Sequence, residues 1–513
     1  MSGAEAMTAP RYSVIRGGAL LDHRAHRTVA TDILIEGDTV RELGPPGLAA
    51  PEEAVAVEAA GSMLIPGLVN SHTHGHGCLS KGRGDRWSLE LLLNAGPWVN
   101  GGRGTEDKYL ATLLNAAEML RRGCTAAYDL TWEFPGPSVE GLSAVARAYA
   151  DIGMRALVAP MMADTSFYEA VPGLLESLPK ALRDAARGLR PGAAGETLAT
   201  CRRLLRDWPY PRETIGFALA PTIPLLCSEE FLVGCRELAA EHGAAIHTHM
   251  AESKIQALAG LERYGQTLTG YFEALGLINE RFTAAHGVWL DDDDMRRLAD
   301  RGASVAANPG SNLRLGSGLP ALRAMLDHGI NVGIGSDGST SSDNQNMFEA
   351  ARLASFVSRV ASHDVGRWLA THETFELATA GGARAMGLAE AIGRIAPGYK
   401  ADIVFLDLKD FAYLPMNDPV NQLIHSDDGS SVHRVMIGGR IVFDDGAFTT
   451  IDLEKLIGEV RAAMDRLNDV TRAQKALTQK LEGLVAQYCS CFAGRGYHVA
   501  RMACGPGEPG AEG

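Results

Sequence analysis

The stretch Pro66-Gly67-Leu68-Val69-Asn70-Ser71-His72-Thr73-His74 decides how this sequence is read. Apolar Met63-Leu64-Ile65 leads into it, and Leu64 to Asn70 reads as one short buried strand. Gly67 lets the backbone bend where the polar residues begin. In an extended chain His72 and His74 point to the same side, with Thr73 facing away. Two imidazoles on one strand end can share a metal ion. A lone His-x-His is a weak signal, so its weight depends on whether the rest of a coordination sphere follows in matching contexts.

Outward from this stretch, residues 67–395 alternate strand-like and helix-like segments. Candidate strands are 64–70, 125–130, 155–160, 214–220, 244–248, 281–286, 303–308 and 330–336, with helical stretches such as 105–122, 229–242 and 317–329 between them. Eight β-then-α units over about 320 residues are the pattern of an α/β fold, a (β/α)8 TIM barrel with insertions. Residues 12–66 contain short strands broken by Gly and Pro, and a matching β-rich set occupies 396–450. Neither set is large enough to fold alone. The expectation is a small composite β-sandwich domain built from both chain ends (1–66 and 396–450), then an amphipathic helix over 451–488 and a flexible tail over 489–513.

In such barrels the reactive groups sit at the C-terminal strand ends, which makes a test. The fifth candidate strand runs into Ile246-His247-Thr248-His249-Met250-Ala251-Glu252, where alternation puts His247 and His249 on one face. The sixth ends in Ala285-His286-Gly287, the seventh in Ala307-Asn308-Pro309, and the eighth in Gly335-Ser336-Asp337-Gly338. A single strand-end His is usually a structural residue, and an Asp before Gly is usually a turn. Four successive strand ends of this kind, with His-x-His on the first, point to a metal site.

Composition narrows the class. A chain of 513 residues with net charge −14 does not suit nucleic acid or an anionic membrane as a partner. No apolar run approaches the ~18 residues needed to span a bilayer, and Met1 to Pro10 lacks a secretory pattern. Eight cysteines without regular spacing read as free thiols in a reducing compartment. The expectation is a cytoplasmic protein acting on a small molecule, with the amphipathic helix packed on the barrel or on a second subunit of a homo-oligomer.

Taken together, Pro66 to His74, His249-Met250-Ala251-Glu252, Ala285-His286-Gly287, Gly335-Ser336-Asp337-Gly338, Gly393 to Asp402 and Met436 to Arg440 resemble the amidohydrolase superfamily. The likeness runs over residues 12–450 and is greatest to the branch of triazine hydrolases and S-adenosylhomocysteine/5′-methylthioadenosine deaminases. It implies that His72, His74, His249 and Asp337 bind one divalent ion. Zinc suits three imidazoles and a carboxylate, with ferrous iron as an alternative. Relatives with two metals bridge them with a modified lysine on the fourth strand. Here that strand, Ile215 to Thr222, has no lysine, so the site is expected to be mononuclear.

By the same resemblance Asp337 takes a proton from a metal-activated water, His286 orients that water, and Glu252 shuttles a proton to a ring nitrogen or leaving amine. The reading is an aminohydrolase acting on a purine, pterin, pyrimidine or triazine. Amide, urea or carbamate cleavage with the same metal is the alternative, and a non-catalytic scaffold is a minor one. Candidate substrate contacts are Trp87, Trp98, Trp132, Asp164 and Asn308. The loop after the first strand departs from nucleoside-deaminating relatives, which argues against a ribose site. His76 reads as a supporting residue, and Asp291 to Asp294 as a helix start.

Overall fold

The computed structural model describes residues 10–502. The first five strands are β1 (Tyr12–Asp22), β2 (Arg27–Glu36), β3 (Thr39–Gly44), β4 (Val55–Glu58) and β5 (Ser62–Pro66). The barrel strands are β6 (Leu68–His74), β7 (Cys124–Trp132), β8 (Arg155–Met162), β9 (Ile215–Phe217), β10 (Ala220–Pro221), β11 (Ile246–Met250), β12 (Phe282–His286), β13 (Ser304–Ala307), β14 (Asn331–Ile334) and β15 (Asp337–Gly338). The chain then forms β16 (Ile403–Asp407), β17 (Val432–Ile437), β18 (Arg440–Asp444) and β19 (Ala447–Phe448).

The expected first strand is in fact two. Gly67 N–H donates to the Asp402 carbonyl at 3.0 Å, whereas Leu68 N–H donates to the Gly123 carbonyl at 3.0 Å. One residue therefore separates the terminal sheet from the barrel. Only glycine fits at the changeover, because a Cβ on Gly67 would lie 2.0 Å from Thr125 Oγ1. A single apolar run conceals this break, since both halves are fully buried.

The barrel strands follow one another as their alternation predicts. Strands β6, β7 and β8 pair in parallel, β9 and β10 pair with β8, and β11 to β14 form a second parallel run. Leu219 bridges to Ile246, and His247 N–H donates to the Leu219 carbonyl at 2.9 Å, joining the two runs on one side. On the other side the chain leaves β14 through Gly335 and Ser336 into β15, which pairs with β6 in the register Asp337 to Thr73. Nearly every barrel-strand residue is buried, as expected of a parallel sheet covered on both faces.

Strands from both chain ends form a single nine-stranded sheet in the order β19-β18-β17-β16-β5-β1-β2-β3, with β4 added beside β1. Ile15, Ile33 and Ile35 from one end share an apolar cluster with Ile403, Phe405 and Met436 from the other. The buried Arg155 guanidinium ties this sheet to the barrel through Asp402, with contacts of 2.7 and 3.1 Å. Asp402 also accepts from Gly438 N–H at 2.8 Å.

The C-terminal part departs from expectation. The amphipathic segment is two helices, Leu453–Val470 and Arg472–Ala493, broken at Thr471. The second holds Cys489 and Cys491, so these cysteines are not in a flexible tail. It lies along the helix Leu89–Val99, with Asn94 Nδ2 donating to the Thr478 carbonyl at 3.1 Å. Beyond it Arg501 donates to the Val288 and Leu290 carbonyls at 2.9 and 2.7 Å, and its own carbonyl accepts from Leu319 N–H at 2.7 Å. These polar partners lie some two hundred residues away, which is why a Gly- and Cys-rich composition suggested disorder. The seven described cysteines are all free, while Cys504 lies outside the described residues. No described helix is long and apolar enough to cross a membrane.

Candidate metal centre

Five side chains converge at the C-terminal ends of β6, β11, β12 and β15. His72, His74 and Asp337 form one group with ligand atoms within 4.8 Å of one another, and His72, His249 and His286 form another. Asp337 Oδ1 is 3.1 Å from His74 Nε2 and 3.4 Å from His72 Nε2. Glu252 Oε2 lies 3.6 Å from His286 Nε2. All of these except the partly buried His74 are buried.

The donor set fits a cation. His74 Nδ1 and His249 Nδ1 each lie 2.6 Å from a main-chain carbonyl, of Leu130 and Thr222. Carbonyls only accept, so both Nδ1 atoms carry the proton and, in the neutral rings, both Nε2 atoms carry lone pairs. Those lone pairs face each other across 3.2 Å. Two ligands at ~2.0–2.1 Å from a tetrahedral zinc are separated by about 3.3 Å, so an ion relieves the repulsion without rearrangement. The buried Nε2 atoms of His72 and His286 and Glu252 Oε2 also have no hydrogen-bond partner among the described residues.

Burial sets the protonation states. It drives His72 down to about 3, and it drives His249 well below the usual imidazole range. Burial lowers His286 as well. For His74 burial is outweighed by the Asp337 carboxylate, which raises it; a proton between those two atoms sits where a cation would. Burial would raise Asp337, yet contacts to His72 and His74 hold it well below the carboxylate range. Glu252 goes well above that range, through burial and then the charges of Asp337 and Glu90. Both effects disfavour the charged carboxylate.

The backbone is strained where the chemistry sits. Ala251, His286 and Asp337 adopt φ of 49°, 68° and 58°, the left-handed region that non-glycine residues rarely enter. Asp337 is pinned there by Gln345 Nε2, which donates to its carbonyl, and by Ser341 Oγ, which donates to its Oδ2, both at 2.9 Å. Gly335 makes the approach possible, since a Cβ there would lie 2.8 Å from the His72 carbonyl and 2.3 Å from Asn308 Oδ1.

The candidate substrate contacts fall into two sets. Asn308 is buried beside this centre, and neither of its amide atoms has a partner among the described residues. Trp132 ends β7, and its N–H donates to His76 Nδ1 at 3.1 Å, giving His76 its supporting place. The other candidates have partners elsewhere. Asp164 accepts from Ser228 N–H and Oγ at 2.8 and 2.5 Å, at the start of a helix. Trp87 and Trp98 meet edge to face at 6.1 Å, and Lys475 Nζ lies 4.8 Å from the Trp98 ring centre.

Several supporting residues gave no sequence signal. Asp129 accepts from Gly75 N–H and the Tyr149 hydroxyl, both at 2.9 Å, and fixes the turn after His74. Glu90 accepts from Ser253 Oγ at 2.7 Å beside Glu252. An acid inside the apolar run Thr125 to Leu130 was the one available hint of Asp129. Asp291 caps its helix with Asp294 in a reciprocal capping pair, as expected.

Against known families, residues 63–442 match the amidohydrolase family. The chain belongs to that family. The amidohydrolase is 31% identical over 445 residues to the 5-methylthioadenosine/S-adenosylhomocysteine deaminase of Pyrococcus furiosus, covering 86% of this chain and 98% of that protein. It is also 31% identical to the 5′-deoxyadenosine deaminase of Methanothermobacter thermautotrophicus, over 88% of this chain and 97% of that one. Among solved structures it resembles a zinc-bound adenosine deaminase from Xanthomonas campestris, with TM-score 0.79, 27% identity, and 90% and 100% of the two chains covered. It likewise resembles the zinc complex of an atrazine chlorohydrolase from Arthrobacter aurescens, with TM-score 0.77, 25% identity, and 88% and 99% covered. As an amidohydrolase it is a metal-dependent enzyme that hydrolyses carbon–nitrogen bonds, and three of the four relatives named are deaminases.

Proposed function

We propose that this amidohydrolase deaminates the 6-aminopurine ring of a small nucleoside, with one zinc ion held by His72, His74, His249 and Asp337. The observation that carries the reading is the buried Glu252, set 3.6 Å from His286 on the rim of a carboxylate–imidazole cage, where burial pushes its carboxyl well above the usual range. An amidine carbon is electrophilic only once its ring nitrogen is protonated, and a carboxyl whose site favours the protonated form supplies that proton. The nucleoside class is suggested by the relatives named above, against the first impression from the loop after β6. Within this reading the protein is a cytoplasmic homo-oligomer with a small-molecule substrate.

An ion held by His72, His74, His249 and Asp337 would supply a water acidic enough to lose its proton near neutral pH. Glu252 protonates the ring nitrogen beside the amino-bearing carbon. Asp337 takes a proton from the attacking water, while His286, held by Asn312 Oδ1 at 2.9 Å, orients the oxygen. The oxygen adds to the carbon as the carbon–nitrogen π bond opens onto the ring nitrogen. Glu252 then recovers a proton from the new hydroxyl, and Asp337 gives its proton to the amine. The C–N bond breaks, ammonia leaves, and the ring keeps a carbonyl and an N–H. Asn308 is the buried amide placed to read the ring.

The test is ammonia release by the zinc-loaded enzyme from adenosine, 5′-deoxyadenosine and 5′-methylthioadenosine, with triazines and aryl ureas alongside. Ammonia from the nucleosides supports the proposal. Turnover confined to ureas or amides moves the assignment to amide-type hydrolysis.

A further inference from the structure

The three histidines of the cage are not backed alike. The outer nitrogens of His74 and His249 meet main-chain carbonyls, whose role is fixed. The outer nitrogen of His72, Nδ1, instead lies 3.2 Å from Nε2 of a second imidazole, His247. The two ring centres are 4.9 Å apart with planes at 46°, so the nitrogens approach without stacking. His247 is itself fully buried, with the Tyr128 ring edge-on at 4.4 Å. Its other nitrogen, Nδ1, is buried and has no partner among the described residues.

An imidazole can donate or accept, so this pair has two arrangements where the carbonyl-backed rings have one. In the first, His72 Nδ1–H donates to His247 Nε2, and His72 Nε2 turns a lone pair toward Asp337 Oδ1, 3.4 Å away. In the second, His247 Nε2–H donates to His72 Nδ1, and His72 Nε2 carries a hydrogen that points at that carboxylate. Only the first can ligate an ion. It requires His247 to keep its own proton on the partnerless Nδ1.

We infer that His247 is a positioning residue, which accepts from His72 Nδ1 and thereby holds His72 in the tautomer that binds metal. The inference rests on the metal reading above. It gives the second histidine of Ile246-His247-Thr248-His249 a task distinct from that of His249, although both leave the same strand on the same face. The hydrogen bond behind a ligating histidine typically governs metal affinity by about 10–100-fold.

The test is zinc affinity, measured by competition with a chromophoric chelator on metal-free wild type, His247→Leu and His247→Gln. The Gln side chain can place a carbonyl oxygen near Nε2, as Leu130 and Thr222 do for the other two rings. His247→Leu is expected to bind zinc about 10–100-fold more weakly, and His247→Gln close to wild type. Equal affinity in wild type and His247→Leu overturns the inference, as does equal damage in both variants, which would mark a packing effect. A wild type that takes up no zinc overturns the metal reading itself, so the two failures are distinguishable. Should His247→Leu fail to fold, neutron diffraction from the zinc-loaded wild type decides: a deuteron on His247 Nδ1 supports the inference, and one on Nε2 overturns it.

Discussion

His74 Nε2 and His249 Nε2 face each other across 3.2 Å, each ring braced from behind by a main-chain carbonyl. With both rings neutral, those nitrogens turn two lone pairs toward each other, as two sides of a metal polyhedron do. His74→Ala or His249→Ala should therefore abolish stoichiometric metal uptake and lower kcat/KM by at least about 10³-fold, since the activated water is lost. Elemental analysis alongside circular dichroism checks this. A variant that keeps its metal and its rate would place the ion elsewhere.

Removing the metal should also lower stability, because a ligand that binds only the folded chain stabilises it. At a free-ion concentration a hundredfold above Kd the contribution is about 2.7 kcal/mol. Melting curves with and without a strong chelator measure it, and an unchanged Tm would contradict tight binding by the native state.

Glu252 carries the acid function, and its raised pKa sets the sign of the pH dependence. The proton is lost as pH rises through that raised value, so kcat should fall on the alkaline side. Glu252→Gln should retain the metal and lose roughly 10²–10⁴-fold in kcat. A full pH–rate profile for wild type, with metal analysis of the variant, tests both statements.

Arg155 and Asp402 hold the terminal sheet to the barrel and are both buried. Asp402→Ala leaves a buried guanidinium without its partner, so a loss of about 3–5 kcal/mol is expected. Chemical denaturation measures it. Metal content per folded chain should stay the same, since Arg155 opens β8, whereas the ligands sit at the C-terminal ends of other barrel strands.

Much of this architecture was legible because its signals are local. Full burial makes barrel strands apolar runs, and the reactive residues interrupt those runs at the ends, so His72, His249, His286 and Asp337 announced themselves by position. The break at Gly67 was hidden, because two buried strands in different sheets look like one when no polar residue separates them. The docked segment ending at Arg501 was illegible for a different reason: its partners, the Val288 and Leu290 carbonyls, are main-chain atoms and leave no trace in side-chain pattern. The candidate contacts were least legible of all. Trp98 lies in the helix Leu89–Val99 and Asp164 in a loop, where a ring or a carboxylate serves packing and helix capping as readily as recognition, and the partners that decide between these uses come from Lys475 and Ser228.

The most direct test of the account is ammonia production from 5′-deoxyadenosine and 5′-methylthioadenosine by one preparation, measured as isolated, after metal removal and after zinc is restored. The account predicts about one metal ion per chain, ammonia equal to the substrate consumed, loss of turnover on removal and recovery on reloading. Turnover that survives complete metal removal, or a zinc-loaded protein that frees no ammonia from any aminopurine nucleoside, would contradict it.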